Sequence, residues 1–136
     1  MALTANREVN RYVDQELRSY PVKANTHVYK GSLVSLDAGG YARPLNAGDQ
    51  AVGLAYEEMN NTSATDGEVS VRVFTQGDFV HALQGALRTN IGDAVYASDD
   101  ETLTFTSTDN SLVGVCVDRP AANEIILRLN PYYSVA

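Results

Sequence analysis

The residues able to do chemistry are few and scattered. His27 and His81 stand alone, outside any H-x-H or H-x-x-x-H spacing, so both read as ordinary strand or loop histidines. Cys116 is the single cysteine, which excludes an internal disulfide and any multi-cysteine zinc site. It lies on the Val113/Val115/Val117 segment and reads as a small buried hydrophobe. Asp99-Asp100-Glu101 lacks the alternating oxygen ligands and glycine of a calcium loop, so a solvated hairpin turn is expected. Glu57 and Glu58 are adjacent, and on a strand adjacent side chains point to opposite faces. Asn60-Asn61-Thr62 has the form of a glycosylation acceptor, without the signal-peptide pattern that would give it meaning. There is no Gly-rich phosphate loop and no G-x-S-x-G elbow. The expectation is no catalytic residues, no metal, no cofactor and no enzyme. Of the eight tyrosines, Tyr29, Tyr41, Tyr56 and Tyr96 are candidates for a carbohydrate platform. Tyr132 and Tyr133 form a terminal aromatic pair that must be covered by its own domain or by a neighbour.

The chain that positions these groups has 136 residues, enough for one domain. Hydrophobic residues make up 44% and charged residues 20%, which argues against wholesale disorder. The formal charge is −7, with 10 basic against 17 acidic residues. So acidic a chain is not expected to coat nucleic acid or an anionic membrane. No apolar run approaches the roughly 20 residues that span a bilayer. From Ala5 to Ser19 there is no Gly or Pro, and Val9, Val13 and Leu17 recur every fourth position beside Tyr12 and Tyr20. That stripe predicts a narrow helix, N-capped by Thr4 and stopped by Pro21. Residues 1–22 are accordingly read as a partly helical arm, and residues 23–136 as a β domain.

The β domain is signalled by period-two alternation in Glu68–Val73, Thr102–Thr106 and Glu124–Leu129, with turn residues at Asp37–Gly40, Asn46–Asp49, Thr65–Gly67 and Thr108–Asn110. Val69, Val71, Val73, Leu103, Phe105, Val113, Val115, Ile125, Leu127 and Leu129 are the expected core. An internal repeat runs through it, at about 28–75 and 89–130. Gly31-Ser32-Leu33-Val34 matches Gly92-Asp93-Ala94-Val95, and Ala51-Val52-Gly53-Leu54-Ala55 matches Leu112-Val113-Gly114-Val115-Cys116, both 61 residues apart. Glu68–Val73 matches Glu124–Leu129 at 56. The expected fold is mainly β, an antiparallel sandwich or barrel of two similar half-units packed face to face on one core. The glycine repeated in mid-strand predicts a bulge or the close approach of another backbone.

The run Tyr29–Val34, Ala51–Ala55, Glu68–Val73, then Ile91–Tyr96, Thr102–Thr106 and Leu112–Val117, resembles the small capsid cement proteins of tailed bacteriophages. The resemblance covers about Val22 to Asn130. It implies a decoration protein on the outside of an assembled head, often a trimer, that clamps neighbouring major capsid subunits against the pressure of packaged DNA. It implies the major capsid protein and the chain itself (as a homotrimer) as partners, no nucleic acid or membrane, synthesis in the host bacterial cytoplasm and residence on the virion exterior. Val9, Tyr12, Val13, Leu17, Tyr20, Tyr132 and Tyr133 are the candidate partner-binding residues. The competing reading is a carbohydrate- or receptor-binding β-module of a phage tail or surface.

Overall fold

A computed structural model describes residues 4–5 and 17–131. Twelve strands follow in chain order: β1 (Leu17–Pro21), β2 (Thr26–Val28), β3 (Leu33–Leu36), β4 (Ala42–Pro44), β5 (Gln50–Ala55), β6 (Met59–Asn61), β7 (Ser70–Phe74), β8 (Asp78–Ala82), β9 (Ala94–Ala97), β10 (Leu103–Thr104), β11 (Ser111–Ala121) and β12 (Glu124–Leu129). One 3-10 turn, Arg88–Asn90, precedes β9. All pairs between strands are antiparallel.

Two sheets of five strands have the orders β1-β7-β5-β3-β4 and β8-β12-β11-β9-β10, and β2 and β6 form a small third sheet. Position for position, the two five-stranded orders use their strands in the same way. Even their irregularities coincide. Val34 pairs with Gly53 and Ser35 with Ala51, skipping Val52. Val95 pairs with Gly114 and Tyr96 with Leu112, skipping Val113. Each skipped valine is a one-residue bulge in the strand that carries the repeated glycine. At Gly53 a Cβ would lie 1.9 Å from the Phe74 carbonyl oxygen, and at Gly114 it would lie 2.0 Å from that of Arg128. Close approach of a neighbouring backbone is therefore what both glycines permit.

The third block of the repeat is offset differently from the sequence alignment. Leu54 faces Phe74, and Val115 faces Arg128, so the structural partner of Arg128 is Phe74 rather than Arg72. The spacing there is 54, not 56.

The N-terminal expectation also changes. Leu17–Pro21 is not helix: it pairs residue by residue with Phe74 through Ser70 of β7. Thr4 and Ala5 are bends, and the rest of the expected helix, residues 6–16, lies outside the described residues. Pro21 ends an edge strand, a position where the missing N–H costs no ladder bond.

Apolar alternation sorts the side chains into two clusters instead of one shared core. One holds Val22, Val28, Val34, Ala42, Val52, Ala55, Val71 and Val73, all on or beside the first sheet. The other gathers Val95, Ala97, Val113, Cys116, Ile125, Leu127 and Leu129 of the second sheet together with Leu33 and Ala51, which project from the opposite face of the first. The middle strands β3 and β5 of the first sheet are thus buried on both faces, and Leu33, Val34 and Ser35 in succession are fully buried. Of the expected core, Val69, Phe105 and Val115 are only half-buried, and the other seven are buried. Hydrogen bonds tie the sheets together: Gly48 N–H donates to Ser111 Oγ (3.1 Å), Ser111 Oγ–H to Asp49 O (2.6 Å), and Leu33 N–H to Asp100 O (2.9 Å).

Candidate partner-binding surfaces

The candidate chemical groups resolve into structural roles. Cys116 is fully buried, and burial pushes its thiol above the usual range. Such a thiol is inert compared with an exposed thiolate. His81 Nδ1 lies 2.8 Å from Ala82 O. His27 Nε2 lies 2.6 Å from Glu58 Oε2, and its ring stacks on Tyr29 at 4.0 Å between centroids. Asp99 accepts hydrogen bonds from the Glu101 and Thr102 backbone and from the Thr102 hydroxyl, which closes a hairpin turn and holds its carboxyl low. Glu57 accepts from Arg72 Nε (2.8 Å) and the terminal nitrogen (2.6 Å), and the guanidinium lies 4.9 Å from the Tyr56 ring centroid. No group of three or more His, Cys, Asp or Glu side chains fit to hold a metal occurs among the described residues. No helix among them is long and apolar enough to cross a membrane.

Ion pairs pin the turns of the first sheet. Asp49 sits between Arg43 and the buried Ser35 hydroxyl, and the Arg43 guanidinium holds its carboxyl below the usual range. Lys23 Nζ donates to Asp37 at 2.8 Å. That bond, with backbone donors Tyr41 and Gly39, brings the Asp37 carboxyl down to about 2.

The expected partner-binding residues divide. Leu17 and Tyr20 are half-buried on β1, where Tyr20 packs against the first cluster. Val9, Tyr12, Val13, Tyr132 and Tyr133 lie outside the described residues. The C-terminal tail departs at the buried Pro131, whose carbonyl accepts from Gln50 Nε2 (2.7 Å). Beside it, Ala94, Leu112, Gly114, Val115 and Asn130 line a shallow hollow of about 300 Å³ on the outer face of the second sheet.

A larger groove, about 490 Å³, runs beside β8 between Tyr29–Ser32, Val80–Ala82 and the Asp100–Glu101 turn. Tyr29 and Val80 are its exposed large apolar members, at 58% and 63%. Asp100 is raised above the usual carboxylate range by burial and then by its neighbour Asp99. Ser32, 8% exposed, carries a buried hydroxyl with no hydrogen-bond partner among the described residues. Nothing in the sequence marks this groove. Ser32 figures there only within the Gly31–Val34 block of the repeat, and β8 contributes no conspicuous motif.

A family model described as phage cement protein matches residues 13–129, which is most of the chain. No curated protein and no solved structure matches it.

Proposed function

The chain belongs to the phage cement protein family, and on that premise we propose that it binds the outer surface of an assembled phage head and clamps neighbouring major capsid subunits. The family match over residues 13–129 carries this reading, and membership itself places the chain with capsid-associated structural proteins of bacteriophages. The proposal extends to a homotrimer made in the host cytoplasm, and to a sandwich of two half-units preceded by an attachment arm. A cement protein is asked for contact area rather than chemistry. Symmetry multiplies each contact, because a multivalent ring releases only when several contacts open together.

Support comes from the way the described side chains are used. His27, Asp37, Asp49, Glu57, Asp78 and Asp99 are tied into ion pairs and turns and the Cys116 thiol is buried, while exposed Tyr29 and Val80 and the segments bearing Val9, Tyr12, Val13, Tyr132 and Tyr133 remain for contacts. Leu17 and Tyr20 anchor the arm on the first sheet. Heads assembled without the protein, mixed with it and pelleted, test the reading. Saturable co-sedimentation and a raised temperature of DNA release are expected. Failure to bind intact heads refutes it.

A further inference from the structure

The two five-stranded sheets end in equivalent edge strands, β1 and β8, with no strand among the described residues on the outer side of either, but the chain leaves the two edges differently. In the first, the chain just after β1 closes back on β4: Val22 bridges Ala42, and Lys23 N–H donates to Ala42 O at 2.9 Å. Pro21 further blunts that edge. In the second, β8 occupies the place of β1, and no strand among the described residues pairs with its outer side. Leu129 N–H donates to Gly77 O and Leu83 N–H to Asn123 O, both at 3.0 Å. By antiparallel alternation, Phe79 and His81 then also bond to β12, and Asp78, Val80 and Ala82 turn their backbone groups outward. Ala82 stands where β1 has Pro21, so this edge keeps its donor. The groove with the orphaned Ser32 hydroxyl lies along it.

An open strand edge is a template for another extended chain. We propose that the outer edge of β8 is a strand-addition site, and that its occupant is the N-terminal segment of a second copy, around Val9–Val13. The inference deepens the oligomer part of the proposed function and rests on it. Sixteen residues precede β1, and extended they span about 50 Å at ~3.3 Å per residue, well beyond the radius of a domain this size. Read with period two, the segment places Arg7, Val9, Arg11 and Val13 on one face. Those arginines complement Asp100 and Glu101, which outnumber Lys30 in the groove, and the valines match exposed Val80. Ser32 gains a partner within the same groove. Passed from copy to copy, such an arm closes a ring by heterologous contacts.

Paramagnetic labelling of the full chain tests this without a capsid. Asn10→Cys takes a nitroxide, while Cys116 is buried and escapes it. Spin-labelled chains carrying ordinary nitrogen are mixed with nitrogen-15 chains carrying no label. The Val80 and Ala82 amide signals are expected to lose most of their intensity in the mixture and to recover on reduction of the nitroxide. A second sample dilutes chains carrying both labels into unlabelled excess. Broadening there and not in the mixture assigns the segment to its own chain and overturns the proposal, as does no broadening in either. Val80→Pro removes the outward N–H and is expected to abolish the effect. Asp100→Asn with Glu101→Gln, remote from the strand backbone, is expected to weaken it at low salt should Val80→Pro not fold. Head binding is measured separately, so loss of the strand-addition site and loss of the cement reading are told apart.

Discussion

Gly53→Ala is expected to prise β7 away from β5. The new methyl would sit 1.9 Å from Phe74 O and 2.9 Å from Phe74 C, both backbone atoms that no rotamer change can move aside. The strands must separate by more than an ångström. The pairs at risk are Leu54 with Phe74 and Ala55 with Val73, together with the bond from Tyr56 N–H to Arg72 O. Two or three such bonds at about 1 kcal/mol each, plus about 1–3 kcal/mol for the forced backbone shift, give roughly 3–6 kcal/mol. Alanine at φ +149 adds strain of about 1 kcal/mol or more. Gly114 meets Arg128 O at 2.0 Å without a positive φ, so Gly114→Ala should be costly but less so than Gly53→Ala. Against a typical total of about 5–15 kcal/mol, either change brings the fold near collapse. Urea melts read by circular dichroism measure the loss as a fall in midpoint at unchanged slope. A loss below about 0.5 kcal/mol at both positions would falsify the close-approach argument.

Three further outcomes follow from the same packing. Leu127→Ala should cost on the order of 2–5 kcal/mol, since Leu127 is 1% exposed in the larger cluster, and denaturant melts check it. Asp37, held down to about 2 by Lys23, contributes stability that is full above its ordinary value of 3.8 and is lost as pH falls through about 2. The melting temperatures of the protein and of Asp37→Asn should therefore converge between pH 6 and pH 2, and a constant gap would refute the assignment. Removing residues 1–16 should leave each chain folded while loosening the oligomer and weakening head binding, whereas removing residues 1–21 should also unsettle the chain's own fold by stripping β1 from β7.

Strand faces were legible because burial on one side writes a period of two into the sequence. Val71 and Val73 are buried and Arg72 exposed, as that alternation demands, and Ile125, Leu127 and Leu129 repeat it. The same rule explains the misreading of Leu17–Pro21. A spacing of four, as in Val9, Val13 and Leu17, keeps residues on one face of a helix and of a strand alike, so it does not distinguish them. The slip in the third repeat block escaped notice for a related reason. A shift of two residues preserves every face, and both arginines have carboxylate partners, Glu57 for Arg72 and Asp78 for Arg128. The two glycines were readable as close approaches because no other residue allows them. The groove along β8 was not, since an unpaired edge and an orphaned hydroxyl arise only from long-range pairing. Division into two clusters is equally invisible: it depends on which sheet covers Leu33 and Ala51, and sequence alternation says only that something does.

Cryo-electron microscopy of heads reconstituted with the purified protein tests the central claim most directly. The account predicts density on the outer surface that fits both five-stranded sheets and bridges adjacent capsid subunits, present only when the protein is added. Reconstituted heads with an outer surface identical to that of untreated heads would contradict it.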